Sequence, residues 1–197
     1  MSRESTTDSV LGMTLNLMTA AILAGLVLAT VNYFTQERRE KNEAEFKRQA
    51  LQEALPDAAS FAAVEGAEGE PESYRGLGPD GELVGYVLEV ITRGYEGKIE
   101  MMLGVDSSLT IVNFQIVKQR ETPGLGDRAR EEWFRERFRG LSVGSLEVVK
   151  QAQAGKVEAI TGATITSRAI ADAFNEQVER LERLVQAGAE EPQEDGE

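Results

Sequence analysis

The sequence predicts an α+β protein: a single N-terminal transmembrane helix followed by a mostly antiparallel sheet with packed helices. Three observations predict it. Residues 9–36 carry no charge and are rich in Leu, Ala, Val and Met. Apolar and polar residues alternate through successive segments between Leu83 and Ile116, the period of a strand with one buried face. The last segment before the C-terminal tail repeats apolar residues at three- and four-residue steps, the period of an amphipathic helix.

Residues 1–8 form a short tail, and residues 9–36 are the predicted span. A helix rises about 1.5 Å per residue, so about 20 residues cross a hydrocarbon core of roughly 30 Å. A cleaved signal peptide would have a shorter apolar region, of roughly 7 to 15 residues, behind a basic stretch. Here only Arg3 precedes the run. Tyr33 suits the membrane interface. Asn16, Ala24, Gly25 and Ala29 read either as surface for a partner helix, which points to one component of a larger membrane complex, or as residues that simply face lipid. Arg38, Arg39, Lys41, Lys47 and Arg48 follow the span, so the positive-inside count taken alone places the following domain in the cytoplasm.

Residues 37–73 read as a connecting helix and loop. Phe46, Ala50, Leu51, Ala54 and Leu55 stand at helical spacing and stop before Pro56, while residues 57–73 are rich in Ala, Glu, Gly and Pro with few large apolar residues. Residues 74–187 are the predicted domain. Leu83, Tyr86, Leu88 and Val90 suggest one strand, Ile99, Met101, Leu103 and Val105 a second, and Val112, Phe114 and Ile116 a third. Asp106, Ser107 and Ser108 supply a hairpin turn between the last two. A helix is expected across residues 129–138 with Trp133, Phe134 and Phe138 on one side. Residues 146–149 and 157–160 read as edge or central strands. A final helix begins near residues 164–167 and carries Ile170, Ala173, Phe174, Val178, Leu181, Leu184 and Val185. Residues 188–197, with Glu190, Glu191, Glu194, Asp195 and Glu197, read as a disordered acidic tail.

Composition narrows the chemistry. The 197 residues include 21 Lys plus Arg against 34 Asp plus Glu, a net charge of −13, with no Cys and no His. Disulfides, thiolate clusters, covalent haem, cysteine nucleophiles and histidine bases are excluded, and no metal site or catalytic residue is predicted. The acidic balance argues against nucleic-acid binding, which needs clustered Lys and Arg. Chemistry performed on this chain therefore belongs to a cofactor.

Two glycine patterns are decoys. Gly76, Gly78 and Gly81 formally match a dinucleotide fingerprint, but Pro79 and Asp80 make a turn into the next strand. Gly124 and Gly126 imitate it better, yet Asp127 brings negative charge where a pyrophosphate would lie, and no parallel βαβ unit follows. The informative stretch runs from Glu158 to Ser167. Gly162 permits a tight turn, and Thr161, Thr164, Thr166 and Ser167 cluster hydroxyls at the start of the last helix. The free N–H groups and dipole there favour an anion by about 0.3–1 kcal/mol at exposed sites. Read alone, the same hydroxyls also suit simple helix capping.

The run Thr161-Gly162-Ala163-Thr164 closely resembles the flavinylation motif of the FMN-binding domain shared by the G subunit of the Rnf electron-transport complex and the C subunit of the sodium-pumping NADH:quinone oxidoreductase. That pattern is Asp, two variable residues, Ser or Thr, Gly, Ala, then Thr or Ser; Glu158 stands here in place of the Asp. Gly94-Tyr95-Glu96-Gly97 and Glu121-Thr122-Pro123-Gly124-Leu125-Gly126 are similar to segments of the same family, and the length favours the Rnf type over its longer relative. The resemblance implies FMN as a covalent phosphoester on Thr164, with Thr161, Gly162 and Ala163 completing the motif. It also implies electron relay in a complex coupling ferredoxin/NAD electron transfer to ion translocation, without independent catalytic activity. Further implications are the other members of the complex and a flavin transferase as partners, a single pass through the cell (inner) membrane, and an extracytoplasmic flavin domain. Beside the motif, Glu121, Thr122, Gly124 and Gly126 read either as cofactor contacts or as a folded loop, and Tyr95 either as a flavin contact or as packing. A flavin-free membrane scaffold and the C-type relative of the sodium-pumping enzyme are the competing classes.

Overall fold

The structure is a computed structural model describing residues 4–64 and 71–190. Arg3, the side chains of Tyr33, Arg38, Arg39 and Lys41, and residues 191–197 of the acidic tail lie outside what is described.

The chain divides into two compact units, Met1–Phe46 and Lys47–Glu197. Residues 4–46 of the first belong to α1 (Glu4–Ala54), one continuous helix. Within it, Gly12–Thr30 is long and apolar enough to cross a membrane, and none of its side chains is buried by protein. Leu15, Leu17, Leu23 and Leu28 are exposed, as a helix in contact with lipid requires.

The second unit is a five-stranded antiparallel meander in the order β1-β2-β3-β4-β5. Its strands are β1 (Ser60–Val64), β2 (Ser73–Leu77), β3 (Leu83–Arg93), β4 (Lys98–Asp106) and β5 (Ile111–Gln119). The last three are those that alternation predicts. The β4–β5 hairpin closes as expected: the Asp106 carboxylate accepts the N–H groups of Ser108 at 2.8 Å and Thr110 at 2.9 Å.

The sheet buries both faces. On one, Leu88, Met101, Leu103 and Phe114 meet the C-terminal helices. On the other, Ala50, Leu51, Ala54 and Leu55 at the end of α1 cover Tyr74, Val87 and Met102. The end of the expected connecting helix is thus part of the core on one face of the sheet, within a compact unit that begins at Lys47. Gly104 makes this possible, since a Cβ there would collide with the Ala54 carbonyl. Gly104→Ala is expected to destabilise the domain by about 1–3 kcal/mol, read as a lowered denaturation midpoint; an unchanged midpoint would mean that the helix end sits less closely.

Several expectations are corrected. Residues 57–73 are not all loop, because β1 pairs with β2 over Ser60–Val64. An edge strand is held by backbone pairing and two side chains, Phe61 and Val64, too few to alternate visibly. Val112 is not on the face of Phe114 and Ile116: the ladder skips it between Gly104↔Asn113 and Val105↔Ile111, and this bulge turns it toward the α1 side. The expected helix over 129–138 is a 3-10 turn (Gly126–Arg130) and the single-turn α2 (Glu132–Arg135), separated by extended Glu131. Phe134 and Phe138 are buried, whereas Trp133 is only partly so.

The short runs near 146 and 157 do not join the main sheet. They form a separate parallel pair, β6 (Val148–Val149) with β7 (Val157–Glu158). The single final helix is two, α3 (Thr164–Asn175) and α4 (Val178–Glu190). Asn175 accepts the N–H groups of Gly144 and Leu146 and donates to the Leu146 carbonyl, while Arg180 donates to the carbonyls of Pro71, Glu72 and Glu89. These long-range clamps fix the two helix directions, and helical periodicity carries no sign of them. Helix α4 also runs to Glu190, past the expected start of the tail.

Candidate functional site

Three loops meet beside the start of α3: the β3–β4 turn at 94–97, the segment after β5 at 121–126, and the turn at 161–163. Between them lies a cleft of about 440 Å³ bordered by Tyr95, Glu121, Thr122, Leu125, Gly126 and residues 162–166, within the size range of small-molecule and cofactor pockets. It thus gathers most of the residues that the sequence marks. Thr161 and Gly124 stand apart from it.

Hydroxyl geometry distinguishes the four candidates at the start of the helix. Thr166 is 1% exposed and donates to Glu121 Oε2 at 2.6 Å. The Ser167 hydroxyl donates to the Ala163 carbonyl and accepts the Ile160 N–H. Thr161 borders a different cleft, formed with Arg128, Trp133, Arg137, Glu158 and Ala159. Thr164 borders the main cleft, is only partly buried, and its hydroxyl has no hydrogen-bond partner among the described residues.

Thr164 is also the first residue of α3. No side chain caps that helix, which disfavours the capping reading. Its first backbone bond is Ser167 N–H to the Ala163 carbonyl at 3.0 Å, so the N–H groups of Thr164, Ile165 and Thr166 lack helical acceptors. Gly162, at φ 81°, makes the turn that delivers the chain there.

Glu121 forms the floor. Its carboxylate accepts the N–H groups of Tyr95 at 3.2 Å, Glu96 at 3.0 Å and Gly97 at 3.2 Å, besides the Thr166 hydroxyl. Burial pushes its pKa up, but the Thr166 hydroxyl and the three amides outweigh burial and hold it below the ordinary carboxylate value. Gly126 borders the cleft for a reason other than ligand approach, since a Cβ there would lie 2.5 Å from Glu121 Oε2 and 2.8 Å from Thr166 Oγ1. Gly124 donates its N–H to Asp127 Oδ1 at 2.7 Å and closes the loop. Thr122 donates to Glu96 Oε2 at 2.9 Å.

The rim is apolar. Tyr95, Leu125 and Ile165 are 69%, 41% and 56% exposed, so Tyr95 is not core packing. Sequence reasoning misses Leu125 and Ile165 as site residues, and it misses the loop-joining role of Glu121. Leu125 is visible in principle, as a large apolar side chain between two glycines. Glu158, which replaces the motif Asp, pairs with Arg137 at 2.9 Å, whose guanidinium lies 4.6 Å from the Trp133 ring centre.

An apolar-rimmed cleft ending at a hydroxyl without a partner among the described residues and an open helix N-terminus suits a flat ring carrying a phosphate. Residues 94–179, within the second unit, match the FMN-binding domain family. In sequence, the chain is 30% identical to the G subunit of the proton-translocating ferredoxin:NAD(+) oxidoreductase complex of Clostridium ljungdahlii, covering 92% of this chain and 96% of that one. It is 36% identical to the G subunit of the ion-translocating oxidoreductase complex of Methanosarcina acetivorans, over 80% and 86% of the two chains. For the Na(+)-translocating counterpart of Acetobacterium woodii the identity is 33%, over 85% and 89%. The chain belongs to the family of G subunits of ion-translocating, Rnf-type oxidoreductase complexes. Its fold is shared by the C subunit of the Na(+)-translocating NADH-quinone reductase from Parabacteroides distasonis, with a TM-score of 0.61 at 22% identity, covering 75% of this chain and 94% of that one.

Proposed function

We propose that this chain is a membrane-anchored flavoprotein that carries FMN bonded through its phosphate to Thr164 Oγ1. In this role it relays electrons among the members of an ion-translocating ferredoxin:NAD oxidoreductase complex. The observation that carries the attachment is the state of Thr164, the one motif hydroxyl that borders the cleft without a partner among the described residues. Attachment by a flavin transferase is a phosphoryl transfer. The Thr164 oxygen bonds to the phosphorus of the FMN half of FAD, the bond to the bridging oxygen breaks, AMP leaves, and the hydroxyl proton passes to a base on the transferase.

The chain's own part is binding and orientation. The free N–H groups at the start of α3 would meet the phosphate's charge, Tyr95, Leu125 and Ile165 would offer apolar surface, and Glu121 holds the loops together. FMN supplies the electron-transfer chemistry, which a chain with no Cys or His does not provide itself. The flavin domain lies outside the cytoplasm, as the resemblance implies, because a long following domain translocates against the basic residues after the span.

The test is the intact mass of the denatured protein after co-expression with a flavin transferase. An increase of one FMN less one water is expected; an unmodified mass overturns the attachment. Protease added to spheroplasts is expected to degrade the domain, and protection there overturns the orientation.

A further inference from the structure

We infer that Glu121 is the positioning residue of the flavin cleft, and that its carboxylate sets the reduction potential of the flavin tethered beside it. The inference rests on the FMN reading and goes beyond it, because Glu121 is not part of the attachment motif. Three segments far apart in sequence converge on this one side chain. Residues 95–97 donate three amides, Thr166 in the first turn of α3 donates its hydroxyl, and Glu121 itself follows β5.

The fit is close. A Cβ on Gly94 would lie 2.5 Å from Oε1, and one on Gly126 the same distance from Oε2. The carboxylate is thus enclosed between two positions with room for hydrogen only, and the residue is 7% exposed. Four donors aimed at one buried group stabilise its ionised form, in agreement with its depressed pKa. A fixed negative charge at the floor of a cleft opposes the gain of electrons there, because charge interactions are screened less away from bulk water. The same carboxylate joins the loop that carries Tyr95 to the helix that carries Thr164, so it sets the width of the cleft as well as its charge.

Glu121→Gln and Glu121→Asp, prepared in the full chain with flavin attached, separate position from charge. In Glu121→Gln one acceptor oxygen becomes an NH2 group that presents donors toward donors, and the other is no longer charged. Amide exchange at Tyr95, Glu96 and Gly97 is expected to accelerate by about tenfold or more, the effect of losing a hydrogen bond to a charged acceptor. The flavin midpoint potential is expected to rise. Glu121→Asp keeps the charge but withdraws it by one methylene, so exchange is expected to accelerate while the potential stays closer to wild type.

A purely structural role would move exchange in both variants and the potential in neither, or in both alike; either result overturns the inference. If Glu121→Gln does not fold, Glu121→Asp decides: unchanged exchange at residues 95–97, or faster exchange with an unchanged potential, overturns the inference, and faster exchange with a small rise in potential, from the withdrawn charge, supports it. Intact mass keeps the two readings distinguishable. A wild-type chain without flavin overturns the attachment and the potential together, whereas flavin-loaded variants with wild-type exchange and potential overturn this inference alone.

Discussion

Thr164→Val is expected to carry no covalent flavin at all, while folding as the wild type does. Valine has nearly the shape of threonine and lacks only the oxygen through which the phosphoester would form. That hydroxyl has no hydrogen-bond partner among the described residues, so its loss leaves no buried group unsatisfied, and stability is expected to stay within about 0.5 kcal/mol of wild type. The measurement is flavin fluorescence migrating with the denatured polypeptide in a gel. Thr164→Ser is expected to remain fluorescent because it keeps the nucleophilic oxygen, and Thr161→Val because Thr161 borders another cleft. A bright Thr164→Val band would mean that a different side chain holds the cofactor.

The second large effect is on stability. Phe114, on β5, is fully buried and meets three other rings edge to face, with centroids 6.5 Å away at Phe134, 5.2 Å at Phe138 and 5.1 Å at Phe174. It therefore ties the sheet to α2, to the turn after it and to α3, whose first turn carries Thr164. Phe114→Ala removes the shared partner of all three rings and leaves a cavity that rigid neighbouring elements fill poorly. The expected cost is about 3–5 kcal/mol, a large part of the roughly 5–15 kcal/mol that stabilises a domain. Thermal unfolding of the full chain in detergent should show Tm lowered by about 10 °C or more. Phe114→Leu should fall between the two, since it restores much of the volume without the edge-to-face geometry. An unaltered Tm for the alanine variant would place the centre of the core elsewhere.

These two experiments address features of different legibility. The three long strands can be read from alternation because each buries one large side chain in every two against the helices, a pattern written locally. The span is legible for the same reason, as length and apolar content are properties of a single segment. The Thr161–Thr164 run is legible through its chemistry and its resemblance to a family. By contrast, β1 exists because β2 supplies backbone partners, and the break between α3 and α4 because Asn175 and Arg180 reach distant loops and strands. Partners of that kind leave no periodic mark on their own segment.

By itself the sequence determined the apolar N-terminal helix and the α+β domain, which follow from composition and periodicity, while the class of protein and the cofactor family were legible only through the resemblance of a contiguous motif to a known family. Only the tertiary structure decided which motif hydroxyl borders the cleft free of a partner, why Gly126 has no side chain, and that Glu121 fastens the turn at 95–97 to the first turn of α3. Hydrogen bonding and burial are relations between residues distant in the chain, here 45 positions apart for Glu121 and Thr166, and they come into being only when folding brings those residues together.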